Sequence, residues 1–282
     1  MPNNALLYLH AITSLHPGSG TALGVVDMPI QRERHTGWPV IPGSSIKGVL
    51  RDACRRKNGD DPLLDVAFGK GGEDSYSGAL SLTDARILAF PVRSMKGVFA
   101  WVTCPQALRR YRRDADIAGK KIVLPELSIG EIGEGKALAA QGSPLRTSQG
   151  KIVLEEFVFD AGATALDYFD QVLSPEDRSR VAVLDDSDFS YFVTNATEVT
   201  ARIRLNHETK TVDKGALFYQ EFLPAETLLY SVVLGAASRK PEDDASAEAM
   251  LAYLFQQLPE YLQIGGDETT GKGICRVVKG GV

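Results

Sequence analysis

Strand-like and helical runs alternate irregularly along this chain, and that irregularity restricts its possible folds more than any other feature. A doubly wound sheet needs strand and helix to take turns. Here Ala5 to Leu15 reads as a buried first strand that opens at His16-Pro17-Gly18 into a glycine loop. A helix then starts after Pro42-Gly43, with Ser44 or Ser45 able to cap it and with Ile46, Val49, Leu50 and Ala53 spaced along one face. Gly78 to Phe90 and Val98 to Thr103 follow as two strands in succession, then a helix opens at Pro105-Gln106. Leu124 to Arg146, interrupted by four glycines, reads as a long loop or insertion. Lys151 to Phe159 is strand-like, and Asp188 can cap a helix through Phe189, Phe192 and Val193. Thr200 to Leu205 and Ala216 to Phe222 form a hairpin around the polar turn His207 to Lys214. Leu228 to Leu234 is a buried strand, Ala245 to Gln257 an amphipathic helix, and Ile274 to Val278 a closing strand. The expectation is an α+β fold on an antiparallel sheet, one domain across residues 1–282 with insertions.

Several functional classes drop out. No run approaches the ~18 uncharged apolar residues of a membrane span, and MPNNALLYLHAI lacks the basic lead of an export signal, so a cytoplasmic protein without a membrane partner is expected. Cys54, Cys104 and Cys275 lie far apart without a C-x-x-C pair, which supports neither a disulfide framework nor a zinc knuckle. His10, His16, His35 and His207 make no H-x-x-H or HEXXH spacing, and no G-x-S-x-G elbow occurs.

A net charge of -5 argues against a polyanion partner only as an average. Ile30 to Lys57 holds seven basic and two acidic residues, and Arg109 to Lys121 six and two. Glu155 to Ser190 holds ten acidic and two basic residues. This polarity suits a molecule that meets nucleic acid on one side.

Gly18-Ser19-Gly20 lacks the third glycine of a dinucleotide loop, and Gly266-x-x-x-x-Gly271-Lys272-Gly273 lacks the hydroxyl that a P-loop uses for magnesium. Both still let backbone N–H groups approach an anion closely. The helix start Gly43-Ser44-Ser45-Ile46-Lys47-Gly48 adds a third such cradle. Three cradles beside a basic stretch point to a polyanion rather than a lone phosphate. Asp27, between Val26 and Met28-Pro29, either closes a local Asx turn or serves to hold a cation or take a hydroxyl proton. The turn is the simpler of the two.

His16-Pro17-Gly18-Ser19-Gly20, Val26 to Glu33, Ile41 to Arg51, Gly78-Ala79-Leu80, Asp84-Ala85-Arg86, Phe90 to Ser94 and the glycine-rich Gly265 to Gly273 together resemble the RAMP superfamily of CRISPR effectors. More narrowly, they resemble the Cas7-like backbone subunit repeated in type III-B Cmr complexes. The resemblance implies an RRM-like, ferredoxin-type antiparallel core with inserted loops and a thumb hairpin, placed within residues 200–224. It implies guide RNA, target RNA, further copies of the chain in a helical filament and other Cmr subunits, the small helical one included, as partners. The activity implied is endoribonucleolytic cutting of the guide-paired target at regular intervals with a divalent cation, magnesium or manganese. A purely architectural, guide-binding subunit is the alternative. By family motif Asp27 is catalytic and the metal-holding residue, with His16 and Glu221 in segments that complete the site. The residues expected on RNA are Gly18, Ser19, Gly20, Ser44, Ser45, Lys47, Arg51, Gly266 and Lys272, of which Lys47 and Arg51 match the guide-contacting helix.

Overall fold

The computed structural model describes residues 3–59 and 61–280. Its centre is a four-stranded antiparallel sheet made of β1 (Asn4–Ala11), β2 (Ala85–Arg93), β5 (Leu228–Gly235) and β6 (Ile274–Gly280), numbered so that β3 (Glu198–Leu205) and β4 (Val212–Phe222) are the hairpin. β1 pairs with β5 on one edge and β6 on the other, and β5 pairs in turn with β2, giving the spatial order β6-β1-β5-β2. Helix α1 (Gly43–Asn58) connects β1 towards β2, and the last long helix, Ala247–Gln257, connects β5 to β6. Two split β-α-β units interleaved in this way make the ferredoxin-like arrangement the resemblance implies.

Both faces of this sheet are buried. On one side Ala5, Leu7, Leu9 and Ala11 pack with Ile46, Leu50 and Cys54 of α1 and with Met250, Leu251 and Leu254. On the other, Leu6, Tyr8, Leu88 and Tyr230 are covered by Leu108, Tyr111 and Ala115 of α2 (Pro105–Ile117) and by Leu166, Phe169 and Leu173. An RRM stacks bases on its open sheet face. That face is closed here by α2 and the segment around Phe169, so the sheet offers no open surface for stacking.

Helix α1 begins one residue ahead of the expected serine cap. Pro42 occupies the cap position without a side-chain bond, and the Asp84 carboxylate accepts from Gly43 N at 2.8 Å. A Cβ on Gly43 would stand 2.4 Å from the Leu82 carbonyl, so glycine lets the helix start hard against the neighbouring strand. Ser44 and Ser45 are left exposed in the first turn. Similarly Asp185, not Asp188, caps α3 (Asp186–Asn195), accepting from Ser187 N at 2.7 Å. Burial, with Asp185 and Glu134 nearby, raises the Asp188 carboxyl instead.

The region expected as a loop, residues 124–146, contains the short helix Glu126–Ile129 and the strand Lys136–Ala139. That strand pairs in parallel with Phe157–Ala163 and antiparallel with Val181–Leu184, extending the sheet beyond Phe99–Thr103. Its partners are distant in sequence, which is why local periodicity does not reveal it. The hairpin is present and slightly longer at its start than the expected 200–224 window: β3 and β4 form a separate two-stranded sheet with Ala201 opposite Tyr219 and Ile203 opposite Leu217. Asn206 turns it, its side chain accepting from Glu208 N and Thr209 N.

Candidate active site

The chain leaving β1 is fastened to the root of β4. Leu15 and Leu223 exchange backbone bonds of 2.9 and 2.8 Å. The next residue, His16, is 4% exposed, packs its ring on Phe222 at 5.5 Å, and places Nδ1 2.6 Å from the Glu221 carbonyl. A carbonyl only accepts, so Nδ1 carries the proton and Nε2 is the ring nitrogen left for other chemistry.

The glycine loop near the end of the chain folds onto this same residue. Gly266 N donates to His16 O at 3.0 Å, and Gly273 N to Ser14 O at 2.9 Å. At Gly265, with φ of +83°, a Cβ would lie 2.3 Å from His16 O. Two of the three cradles expected from sequence are therefore neighbours. Lys272 Nζ stands 5.0 Å over the Phe222 ring. Asp267 ties the loop to the hairpin, accepting from Gln220 Nε2 at 2.6 Å and pairing with Arg202.

Asp27 does not form the local Asx turn. Its Oδ2 accepts from Tyr219 N at 2.7 Å, across 192 positions of sequence. Around it Met28 N donates to Tyr219 O and Glu221 N to Met28 O, both at 3.0 Å, so Asp27 rides on a segment laid along β4. The carboxylate is half-buried, and Oδ1 has no hydrogen-bond partner among the described residues. Glu221 is more enclosed, at 6% exposure. Its Oε2 accepts from Ile30 N at 3.0 Å, while Oε1 accepts from Arg32 at 2.5 Å and Thr197 Oγ1 at 2.8 Å. Strand β4 thus brings together Asp27, held at Tyr219, and His16 and Glu221, held two residues further on.

The helix residues form a second group. Lys47 Nζ donates to Leu80 O at 2.9 Å, and burial, with Arg239 and Arg51 nearby, lowers its pKa. Arg51 donates to Gly69 O and pairs with Asp65, each at 2.7 Å. Of the first cradle, Gly18, Ser19 and Gly20 are exposed, although the Ser19 hydroxyl donates to Pro29 O at 3.0 Å. The charge division expected from sequence is softened in space: Arg109 pairs with Asp186, Arg110 with Glu33 and Arg113 with Asp114. Arg93 likewise meets Glu155, and Arg178 meets Asp167 and Asp170. Among the described residues no three His, Cys, Asp or Glu side chains gather as a metal-binding group.

Sequence reasoning overlooked Arg32, Thr197 and Asp267. The available signal for Arg32 is the opposed pair Arg32-Glu33 following Pro29 in a short segment, where both charges need partners.

A model of the family described as the RAMP superfamily matches residues 8–276. The chain belongs to the RAMP superfamily. It is 40% identical over 289 residues to the CRISPR system Cmr endoribonuclease Cmr4 of Pyrococcus furiosus, covering 96% of this chain and 94% of that protein. It is 23% identical to the CRISPR system CMR subunit Cmr4 of Saccharolobus solfataricus, again over 96% and 94%. Among solved structures, oligomeric Cmr4 from Pyrococcus furiosus superposes with a TM-score of 0.77 at 33% identity, covering 99% of this RAMP chain and 98% of that one. A chain of the type III-B Cmr-beta complex bound to cognate target RNA gives a TM-score of 0.80 at 24% identity, covering 98% and 96%, which speaks to fold alone.

Proposed function

We propose that this RAMP protein is a backbone subunit of a type III-B CRISPR effector complex, binding guide RNA and cutting the complementary target RNA beside Asp27. The observation that carries the reading is the 40% identity, along nearly the whole chain, to a Cmr4 endoribonuclease. The placement of Asp27 at the root of the hairpin supports it. Further copies of this chain, guide and target RNA and other Cmr subunits, the small helical one among them, are its partners. No helix of the described residues is long and apolar enough to cross a membrane.

Base pairing supplies sequence specificity, so the protein needs contacts only to backbone and shape. Gly18, Ser19, Gly20, Gly266 and Lys272 would meet RNA backbone around His16, and Ser44, Ser45 and Lys47 would do so at the start of α1. Arg51, paired to Asp65, serves by fixing that helix. A target nucleotide displaced from its pair is released from A-form geometry, and its 2′-hydroxyl can come into line with the adjacent phosphorus. Attack forms the O2′–P bond and breaks the P–O5′ bond, and the departing O5′ takes a proton from water, leaving a cyclic phosphate and a 5′-hydroxyl. Asp27 Oδ1 is the open oxygen for the 2′-hydroxyl proton, and Tyr219 N–H holds Oδ2 so that the carboxylate cannot swing away. Glu221, with both oxygens engaged, and His16, with Nδ1 engaged, shape the site.

A single carboxylate fits a magnesium or manganese ion that keeps its waters and takes remaining ligands from RNA phosphates. Asp27 would hold it, and the ion would supply charge stabilisation at the phosphorus. The Asp27–Tyr219 bond also gives the carboxylate a structural task, which favours the architectural alternative. Incubating the assembled complex with complementary RNA, with and without chelator, separates the two. Regularly spaced, chelator-sensitive products support cutting; intact target at full occupancy supports architecture alone.

A further inference from the structure

Arg32 links separate parts of the chain close to Asp27. Its NH1 donates to Gly37 O at 2.9 Å and to Val193 O at 3.1 Å. Its NH2 donates to Glu221 Oε1 at 2.5 Å and Thr194 O at 3.4 Å. One planar fork therefore joins three bodies: the turn of its own segment, the hairpin through Glu221, and the end of α3. The α3 contact has its own logic, because the last carbonyls of a helix lack intrahelical partners and sit at the negative end of its dipole. A guanidinium satisfies them and brings the matching charge.

The same segment is pegged on the Asp27 side by Met28, whose N–H and C=O both bond to β4, and by Ile30 N on Glu221 Oε2. On the far side Glu33 is clasped by both nitrogens of Arg110, which lies 5.4 Å over Trp38. Between these ends lies the Arg32–Glu221 pair, with side chains 22% and 8% exposed, five positions from Asp27 on the same bonded segment.

We infer that Arg32 is a positioning residue for the Asp27 chemistry, acting through Glu221, and that Glu221 works by receiving Arg32 and Ile30 N rather than by exchanging a proton with RNA. This rests on the reading of Asp27 as the reacting carboxylate. Misplacement of a reacting group by about 1 Å costs ~100-fold in rate, and lysine cannot reproduce the fork. In the assembled complex, single-turnover cleavage should therefore slow by about 10- to 100-fold in Arg32→Met, with target affinity unchanged. Arg32→Lys should fall between that variant and the wild type. Glu221→Gln should slow cleavage without changing the shape of the pH–rate profile. Because the two residues share a contact, the double variant should be slowed by less than the product of the two single effects.

A wild-type rate in Arg32→Met, a loss of target affinity that accounts for its rate, or a lost limb of the pH profile in Glu221→Gln would each overturn the inference. If Arg32→Met does not enter the complex, Arg32→Lys and Glu221→Gln decide it, and full rates in both sink it. Asp27→Asn, measured alongside, separates the two levels. If Asp27→Asn cuts normally, the reading of Asp27 fails; if it is inactive while Arg32→Met is unimpaired, the positioning inference alone fails.

Discussion

The chain is held in opposite ways on the two sides of Asp27. Upstream, Leu23 and Val25 stand with relative exposures of 110% and 93%, and the Ala22 N to Asp27 O bond closes the loop that carries them. Downstream, Met28, Ile30, Arg32 and Glu33 are each bonded to β4, α3 or α2 within the next six positions. The difference teaches where rigidity is placed. Under the proposed function, a carboxylate that meets one hydroxyl would be anchored through the segment after it, while the exposed loop before it would be left to face the RNA.

Five variants test this contrast. The largest effect belongs to the residue at the boundary. Asp27→Asn keeps a group able to accept from Tyr219 N but removes the charge and the basicity, and target cutting should fall by about 100- to 10,000-fold while binding of guide and target persists. On the anchored side, Arg110→Met leaves the enclosed Glu33 with Thr36 and the more distant Arg86 but without its two-point guanidinium partner, and should cost about 2 kcal/mol of stability in a denaturant titration. A cost below about 0.5 kcal/mol would mean that the downstream clamp is not firm. Arg32→Met comes next, by rate rather than stability, as described above.

The clamp also predicts an acid limit. Burial works to raise the Glu33 carboxyl, but hydrogen bonds from Arg110 and Thr36 and the charge of Arg110 outweigh it and hold the group below its ordinary value of 4.5. The unfolded chain then binds the proton more readily than the folded one, so this contribution is complete above about pH 5.5 and is lost as pH falls through the lowered value. Glu33→Gln should lose less stability than the wild type between about pH 5 and pH 3; parallel losses would contradict the assignment. Smallest of all, Leu23→Ser with Val25→Ser should change stability by less than about 0.5 kcal/mol. A larger drop would show that the upstream loop is anchored after all.

What the sequence reveals depends on how far away the partner lies. The stripe Ile46 and Leu50 of α1 is legible because burial follows helical spacing, and both residues are fully buried. The hairpin is legible because its alternation and its polar turn are local. The α1 cap is not, since Asp84 supplies it from 41 positions away. Nor is the tether of Asp27, whose local turn loses to a hydrogen bond with Tyr219. The two glycine loops stand out as close-approach sites, but only the fold shows that they meet at His16. The basic run on α2 stands out in sequence as surplus charge, and only the fold brings Asp186 and Glu33 from elsewhere to pair with Arg109 and Arg110.

The most direct test is to assemble the complex with guide RNA, add complementary target RNA, and size the products for wild-type protein and Asp27→Asn at matched target occupancy. Regularly spaced fragments, abolished by chelator, are expected from the wild type, and intact target from Asp27→Asn. Equal cutting by both would contradict the role proposed for Asp27.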